Sequence, residues 1–269
     1  MKANSKIPKT LVYTAIFGDK DEPPVLLNSD KVDISQYDFI CITDNPKLES
    51  DIYKIHHVKS QFTDITKNAR FYKICGHSEQ EKYDVAIWHD SSLMLDALKI
   101  SELAIYAFKY KLSTFRHGHI CIYPEARQCI EMEKDNPIRI AIQISYYALI
   151  LNFPLREGMY ETGILVKNVK QYNESLIQKI WWKHLRWFSR RDQLSLPVAS
   201  WLTNSDIGIL KGKAFDNPYS TYRGHRYYHY LTGNPIWRFN HKILKKLGVW
   251  VTFRVEHALT RKRIFGKYT

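Results

Sequence analysis

The chain has 269 residues, 45% hydrophobic and 25% charged, with a formal net charge of +13. This length suits one large α/β domain with a substantial core and is too short for two full-sized domains of about 150 residues each. No stretch approaches the roughly 20 apolar residues of a membrane-spanning helix, and no repeat or low-complexity tract is present. Met1 to Thr10 lack the apolar centre of a signal peptide, which leads us to expect a cytoplasmic protein. Cys41, Cys75, Cys121 and Cys129 show no C-x-x-C spacing and three lie in apolar runs, the pattern of reduced core thiols.

In chain order, Leu11 to Phe17 read as a buried strand running into Gly18-Asp19-Lys20-Asp21, a turn able to admit a nucleotide at the edge of a sheet. Tyr37 to Thr43 read as a second strand that stops on Asp44. Asn68 to His77 read as a helix with Arg70, Lys73 and His77 on one face. Such a face is either solvated or suited to diphosphate oxygens, with Arg as a planar fork and Lys as a point charge. Val85 to Trp88 form a third apolar run, and Asp90 falls where it ends. Ligands of open α/β sheets collect beyond the carboxyl ends of strands, where a carboxylate can hold a divalent cation that bridges phosphates. Asp90-Ser91-Ser92 resembles a weakened Asp-x-Asp motif of nucleotide-sugar transferases, with Ser92 in place of the second acid. An Asp at a strand end also starts turns and caps helices, and that reading stands beside the first.

Ile120 to Tyr123 read as a short strand, followed by a helix opened by Pro124 and Glu125. A buried helix is predicted from about Ile138 to Leu151. Tyr160 to Lys167 then carry Glu161 and Gly163 into another strand. Glu161 is a candidate to orient sugar hydroxyls or take a proton, or else the partner of an arginine such as Arg127 or Arg191. Ser175 to Phe188 make an aromatic helix with the spacing of core residues. In Ser189 to Ser195, Asp192 and Gln193 offer acceptors and donors for hydroxyls, or simply begin a helix.

The positive charge is concentrated at one end. Residues 211 to 269 hold 13 Lys and Arg against Asp216 and Glu256, a net +11, so the preceding body is nearly neutral. Ile236, Trp237, Phe239, Ile243, Leu244 and Leu247 would line one side of a helix amid Arg238, Lys242, Lys245 and Lys246, with Gly248 as a stop. Such a helix either covers a sheet edge or lies on an anionic membrane surface. Val249, Val251, Phe253 and Val255 alternate as a strand would. No zinc-finger spacing or RNA-recognition signature accompanies the charge, and no nucleic-acid partner is expected.

Val12-Tyr13-Thr14-Ala15-Ile16-Phe17-Gly18-Asp19, Tyr37 to Asp44, Ala69 to Lys73, Tyr83 to Ser92, Tyr160 to Val166 and Arg191 to Ser195 together resemble a family of glycosyltransferase-like domains. The family occurs in plant mucilage-related hexosyltransferases and in bacterial polysaccharide loci. The resemblance implies a GT-A-like α/β fold, a mixed nucleotide-binding sheet flanked by helices, over residues 1–210, followed by a basic helical extension over 211–269. It implies a nucleotide-sugar donor, a glycan or glycolipid acceptor and a divalent metal, Mn2+ or Mg2+. On that basis Asp90, Ser92 and His225, with His229 as substitute, are metal ligands. Phe17, Asp19, Asp44, Arg70, Lys73, Arg191 and Gln193 bind the donor. Asp192 and Glu161 are the catalytic or acceptor-binding carboxylates. The enzyme would work in the cytoplasm, at the inner face of the membrane if the extension binds lipid. The alternatives are a noncatalytic glycan- or nucleotide-binding protein and a ceramidase-like lipid amide hydrolase. A hydrolase should show a nucleophile elbow or a clustered zinc motif, and the sequence contains neither G-x-S-x-G nor H-E-x-x-H.

Overall fold

The computed structural model describes residues 8–224 and 235–265, with side chains from 241 onward in the second span apart from 262, 264 and 265. These residues divide into two compact units. The first contains the chain up to Arg116, Glu161–Lys179 and a segment beginning at Ser205. The second contains His117–Tyr160, Ile180–Asn204 and the C-terminal helix.

A mixed seven-stranded sheet forms the first unit. Its strands are β1 (Thr10–Ile16), β2 (Tyr37–Thr43), β3 (Lys54–His57), β4 (Val85–His89), β6 (Leu112–Arg116), β7 (Tyr160–Asn168) and β8 (Gly208–Ile209), in the order β3-β2-β1-β4-β7-β6-β8. β5 (Leu93–Leu95) and β9 (Ser220–Tyr222) make a separate antiparallel pair. All seven residues of β1 are buried and all five of β4. That is why both read in sequence as unbroken apolar runs, the mark of strands covered on two faces. β3 left no such signal because its sequence is Lys-Ile-His-His and it is half exposed at the sheet's edge. Helices α1 (Ile65–Cys75), α2 (Ile100–Ala104) and α5 (Val169–Asn173) also belong to this unit. Its core includes Val12, Ile87, Leu103, Phe115, Ile164 and Val166.

The strand directions decide where chemistry can sit. β1 runs parallel to β2 and to β4, so the turns at Phe17, Asp44 and Asp90 share one edge. β7 is antiparallel to β4, with His89 opposite Ile164. Its beginning, Glu161-Thr162-Gly163, therefore lies at that same edge.

The second unit is helical: α3 (Ile122–Glu131), α4 (Pro137–Ser145), most of α6 (Leu176–Trp187), α7 (Asp192–Leu202) and α8 (Pro235–Phe265). Of the expected strand at Ile120–Tyr123, Ile122 and Tyr123 instead begin α3, with Cys121 at its N-cap position. Ile122, Tyr123, Ala126, Cys129 and Ile130 bury one helical face, a period that the short apolar run concealed. Pro124 is tolerated in the first turn, where no helical donor is lost. Asn136 caps α4 by accepting from Ile138 N at 2.9 Å and Arg139 N at 3.1 Å, and a π turn extends that helix through Tyr146–Ile150. All four cysteines are free thiols.

α8 corrects two expectations. It runs through Gly248 without stopping, and the alternating Val249-to-Val255 segment is helical. The reason is packing: a Cβ on Gly248 would lie 3.0 Å from the Pro137 carbonyl oxygen and 3.3 Å from Ile130 Cδ1. The glycine lets α8 approach α3 and α4 closely, while Thr252 and Val255 are buried on the same side. No helix among the described residues is long and apolar enough to cross a membrane. Gly248→Leu is expected to overpack this crossing and destabilise the chain by about 1–3 kcal/mol in urea unfolding; an unchanged midpoint would contradict the close approach.

Candidate functional site

Asp90 follows β4, and its backbone N–H donates to Gly163 O at 2.8 Å, tying the strand end to β7. Three donors converge on one carboxylate oxygen, Oδ1: Arg70 Nη1 at 3.1 Å, Lys73 Nζ at 3.0 Å and Trp88 Nε1 at 3.0 Å. Arg70 and Lys73 come from one face of α1, whose first turn is capped by Asp64 accepting from Thr66 N at 2.9 Å. Lys73 is fully buried and also donates to Thr162 Oγ1 at 3.2 Å. Burial by itself would raise the Asp90 carboxyl, but Lys73, then Arg70 and the hydrogen bonds, hold it well below the usual carboxylate range. Asp90 is therefore a permanent anion bound to two cations.

The far end of α1 is pinned from beneath. Lys167 of β7 donates from Nζ to Tyr13 OH at 2.8 Å, Lys73 O at 2.6 Å and Ile74 O at 3.4 Å. Gln178 Nε2 reaches Cys75 O at 3.2 Å. These are last-turn carbonyls without intrahelical partners, and a cation there also suits the helix dipole. Burial pushes the Lys167 ammonium down to about 7, against an opposing pull from Cys75 and with a further push from Lys73. Lys167 was visible in sequence as a cation directly after the apolar run Ile164-Leu165-Val166, a signal that periodicity alone passes over.

The turn after Asp90 is also fixed. Ser91 Oγ donates to the buried Asp21 Oδ2 at 2.6 Å. Arg223 donates through its backbone N to Ser92 O at 2.9 Å and through Nε to Ser91 O at 2.9 Å. Its guanidinium continues to Pro23 O at 3.2 Å and to Glu22 O. Arg223 thus clamps two loops together. Ser92 is buried. At the neighbouring strand ends, Asp44 accepts from Gly18 N at 2.8 Å and from Ser60 Oγ at 2.5 Å. Gly18 has φ +63°, which a side chain would strain. Asp19 Oδ1 accepts from Asn45 Nδ2 at 3.2 Å, and Phe17 is buried with its ring stacked 5.8 Å from Tyr72. Glu161 Oε2 accepts from Ala214 N at 2.5 Å.

His77 does not share the face of Arg70 and Lys73. α1 ends at Gly76, and His77 caps the next turn and packs on His56 at 5.1 Å. In the second unit, Asp192 is buried at the first position of α7 and accepts from Gln193 N at 3.1 Å. Gln193 Oε1 in turn accepts from Arg191 Nη2 at 2.8 Å. Ser189 does not cap α7; its hydroxyl donates to Asp135 Oδ2 at 2.7 Å. His225 and His229 lie outside the described residues.

On α8, Ile243, Leu247, Trp250 and Phe253 are exposed, Trp250 at 58%. The Arg254 guanidinium stands 5.8 Å from the Trp250 ring centre. A groove of about 860 Å³ runs here, lined by Arg127 and Glu131 of α3 and by Lys242, Lys246, Trp250 and Phe253 among α8 residues. The expected stripe residues Ile236, Trp237 and Phe239 fall among side chains that are not described.

The first unit is thus a mixed α/β sheet with an anion held by two cations at the edge where β1, β2 and β4 end. The family model for the TOD1/MUCI70 glycosyltransferase-like domain matches residues 2–210, and the chain belongs to that family. Among solved structures it is similar to the WbbM bifunctional glycosyltransferase in its apo form, at 12% identity and TM-score 0.43 over 78% of this chain and 40% of that one. It is also similar to the galactosyltransferase LgtC in complex with donor and acceptor sugar analogues, at 9% identity and TM-score 0.39 over 75% and 73% of the two chains. For the glycosyltransferase GlyE of Streptococcus pneumoniae TIGR4 the values are 11% and 0.40 over 96% and 64%. The chain thus spans less than half of WbbM. No curated protein matches it.

Lys167 supplies a pH test of this arrangement. Its unfolded pKa is about 10.4, so between about pH 7 and 10 the unfolded chain binds more protons here and stability rises with pH. The cost of burying the charge is fully present below that window. Relative to Lys167→Met, the natural chain should gain roughly 2 kcal/mol between about pH 7 and 9 in denaturant titrations; a constant difference would contradict the assignment.

Proposed function

We propose that this domain transfers a sugar from a nucleoside-diphosphate sugar to a hydroxyl of a glycan or glycolipid acceptor in polysaccharide biosynthesis. The observation that carries the reading is the cluster at Asp90: a buried lysine and an arginine converge on the carboxylate at the end of β4, at the same sheet edge as the Gly18 and Asp44 turns. Departure of a nucleoside diphosphate concentrates negative charge on its phosphate oxygens. Arg70 and Lys73, already held in place, stabilise that charge without reorganising. Asp19, Asp44 and Phe17 shape the neighbouring turn for the donor, and Arg191 and Gln193 are assigned to its polar groups.

The family resemblance implies a divalent cation, and the donor set admits one. All three contacts on Asp90 use Oδ1, so Oδ2 stands outside them, with the Ser92 hydroxyl two residues on. Asp90 Oδ2, Ser92 and His225 would hold Mn2+, or Mg2+ if the imidazole does not ligate. When bound, the ion would supply further neutralisation of the diphosphate. Asp192 and Glu161 are each assigned as a carboxylate that binds the acceptor or acts as base. Residues 1–210 constitute the transferase domain in this reading, with 211–269 as its extension. A noncatalytic binding protein would hold nucleotide without turnover.

Release of nucleoside diphosphate from a panel of nucleotide sugars tests the reaction. Arg70→Ala should lower turnover roughly 100- to 1000-fold, and Asp90→Asn, which keeps an acceptor for Lys73, should lower it with the fold intact by circular dichroism. Full activity in both variants would remove the assignment. Activity that survives EDTA would leave the two cations as the whole charge-neutralising set.

We read the outward face of α8 as a contact for anionic lipid, which would put the enzyme in the cytoplasm at the inner face of the membrane. Exposed Trp250, Phe253, Ile243 and Leu247 lie among Lys242, Lys246 and Arg254, the composition of a helix resting at a headgroup boundary. Each basic residue there contributes about 1 kcal/mol. The double variant Trp250→Ser, Phe253→Ser should lose sedimentation with phosphatidylserine-containing vesicles and keep its unfolding midpoint; undiminished sedimentation would place the lipid contact elsewhere.

A further inference from the structure

Away from Asp90, the second unit gathers two imidazoles and a carboxylate at its first helix. His117 and His119 precede α3, and Glu125 in the first turn of α3 is buried. His117 Nε2 stands 3.6 Å from Glu125 Oε2, and His119 Nδ1 stands 3.2 Å from the same oxygen. The three atoms all lie within 4.8 Å of one another. Zinc bonds near 2.0–2.1 Å in a tetrahedral site separate neighbouring ligand atoms by about 3.3–3.4 Å. Both measured separations from Oε2 bracket that value.

Hydrogen bonding alone does not account for the arrangement. His119 Nδ1 is buried and makes no hydrogen bond although a carboxylate oxygen is 3.2 Å away. The separation is that of co-ligands and the direction is wrong for a donor and acceptor. The other oxygen of Glu125 is held elsewhere: the Cys129 thiol donates to Oε1 at 3.3 Å, and Lys134 Nζ lies 4.0 Å from it. These contacts orient Oε2 toward the two rings, as outer partners orient a metal-ligating carboxylate. One cost is visible. The His119 backbone N–H donates to His117 Nδ1 at 2.9 Å. A ring that ligates through Nε2 carries its proton on Nδ1, so ion binding requires that hydrogen bond to break.

We propose that His117, His119 and Glu125 bind one zinc-class divalent ion, a site built without any residue of the Asp90 cluster. Two imidazoles and one carboxylate suit Zn2+ better than Mg2+ or Ca2+, which favour all-oxygen ligands. Three protein ligands leave a fourth position for water or a ligand oxygen. The ion would fasten the segment carrying both histidines to the start of α3.

The test uses the full chain with Asp90→Asn, which removes the other proposed metal ligand, after chelator treatment and dialysis. Zn2+ is titrated by calorimetry, and Co2+ by the visible absorption of a tetrahedral site. One ion per chain is expected. His119→Ala should weaken zinc binding by more than about 100-fold, beyond what loss of an outer partner costs. His119→Cys should restore binding and add a thiolate-to-cobalt charge-transfer band, which separates lost ligation from lost folding. Absence of zinc binding in the Asp90→Asn chain, or equal affinity in His119→Ala and Glu125→Gln, would overturn the proposal.

Discussion

The Lys73–Asp90 ion pair is the constraint on which the candidate site depends. A lysine ammonium with no solvent exposure is costly unless its charge and its protons are satisfied. Here Asp90 supplies the opposite charge and Thr162 a further acceptor, while Arg70 and Trp88 complete the carboxylate. The pair can form only if α1 lies in one register against β4 and β7. Lys167 enforces that register by holding the carbonyls of Lys73 and Ile74. Sheet, helix end and ion pair are therefore one mechanical unit: the strands place Lys167, Lys167 places α1, and α1 places both cations.

Arg70 and Lys73 stand on Asp90 where three strand ends meet, and the proposed diphosphate site draws on those two cations, already in place before a ligand arrives. The Arg223 clamp on Ser91 and Ser92 keeps the turn from relaxing around those charges. In the proposed reaction such rigidity matters because donors already in place need not move as charge develops on the leaving diphosphate.

Much of this was legible in the chain itself. β1, β2 and β4 are buried on both faces, so each appears as an apolar run, and the residue at which each run stops is the residue at the ligand edge. Arg70 and Lys73 were legible as one helical face three residues apart. Other parts depended on tertiary packing. The first residues of α3 looked like the end of a strand because Ile120 to Tyr123 form a short apolar run, although the helix after Pro124 was legible; Gly248 looked like a stop because nothing local reveals a helix crossing. His77 fell outside the helix because Gly76 ends α1 one residue earlier. The partners of Lys167, and the convergence of His117 and His119 on Glu125, join segments whose contact no spacing rule encodes.

The central claim is that the Arg70–Lys73–Asp90 edge receives the diphosphate of a nucleotide sugar. Thermal shift of the purified chain against nucleoside diphosphates and nucleotide sugars, with and without Mn2+, addresses it most directly, since a ligand at a hundred times its Kd adds about 2.7 kcal/mol to the folded state. The account predicts a rise in midpoint with one nucleoside diphosphate that Arg70→Ala abolishes. No shift with any nucleotide from a folded sample, or a shift that Arg70→Ala leaves intact, would contradict it.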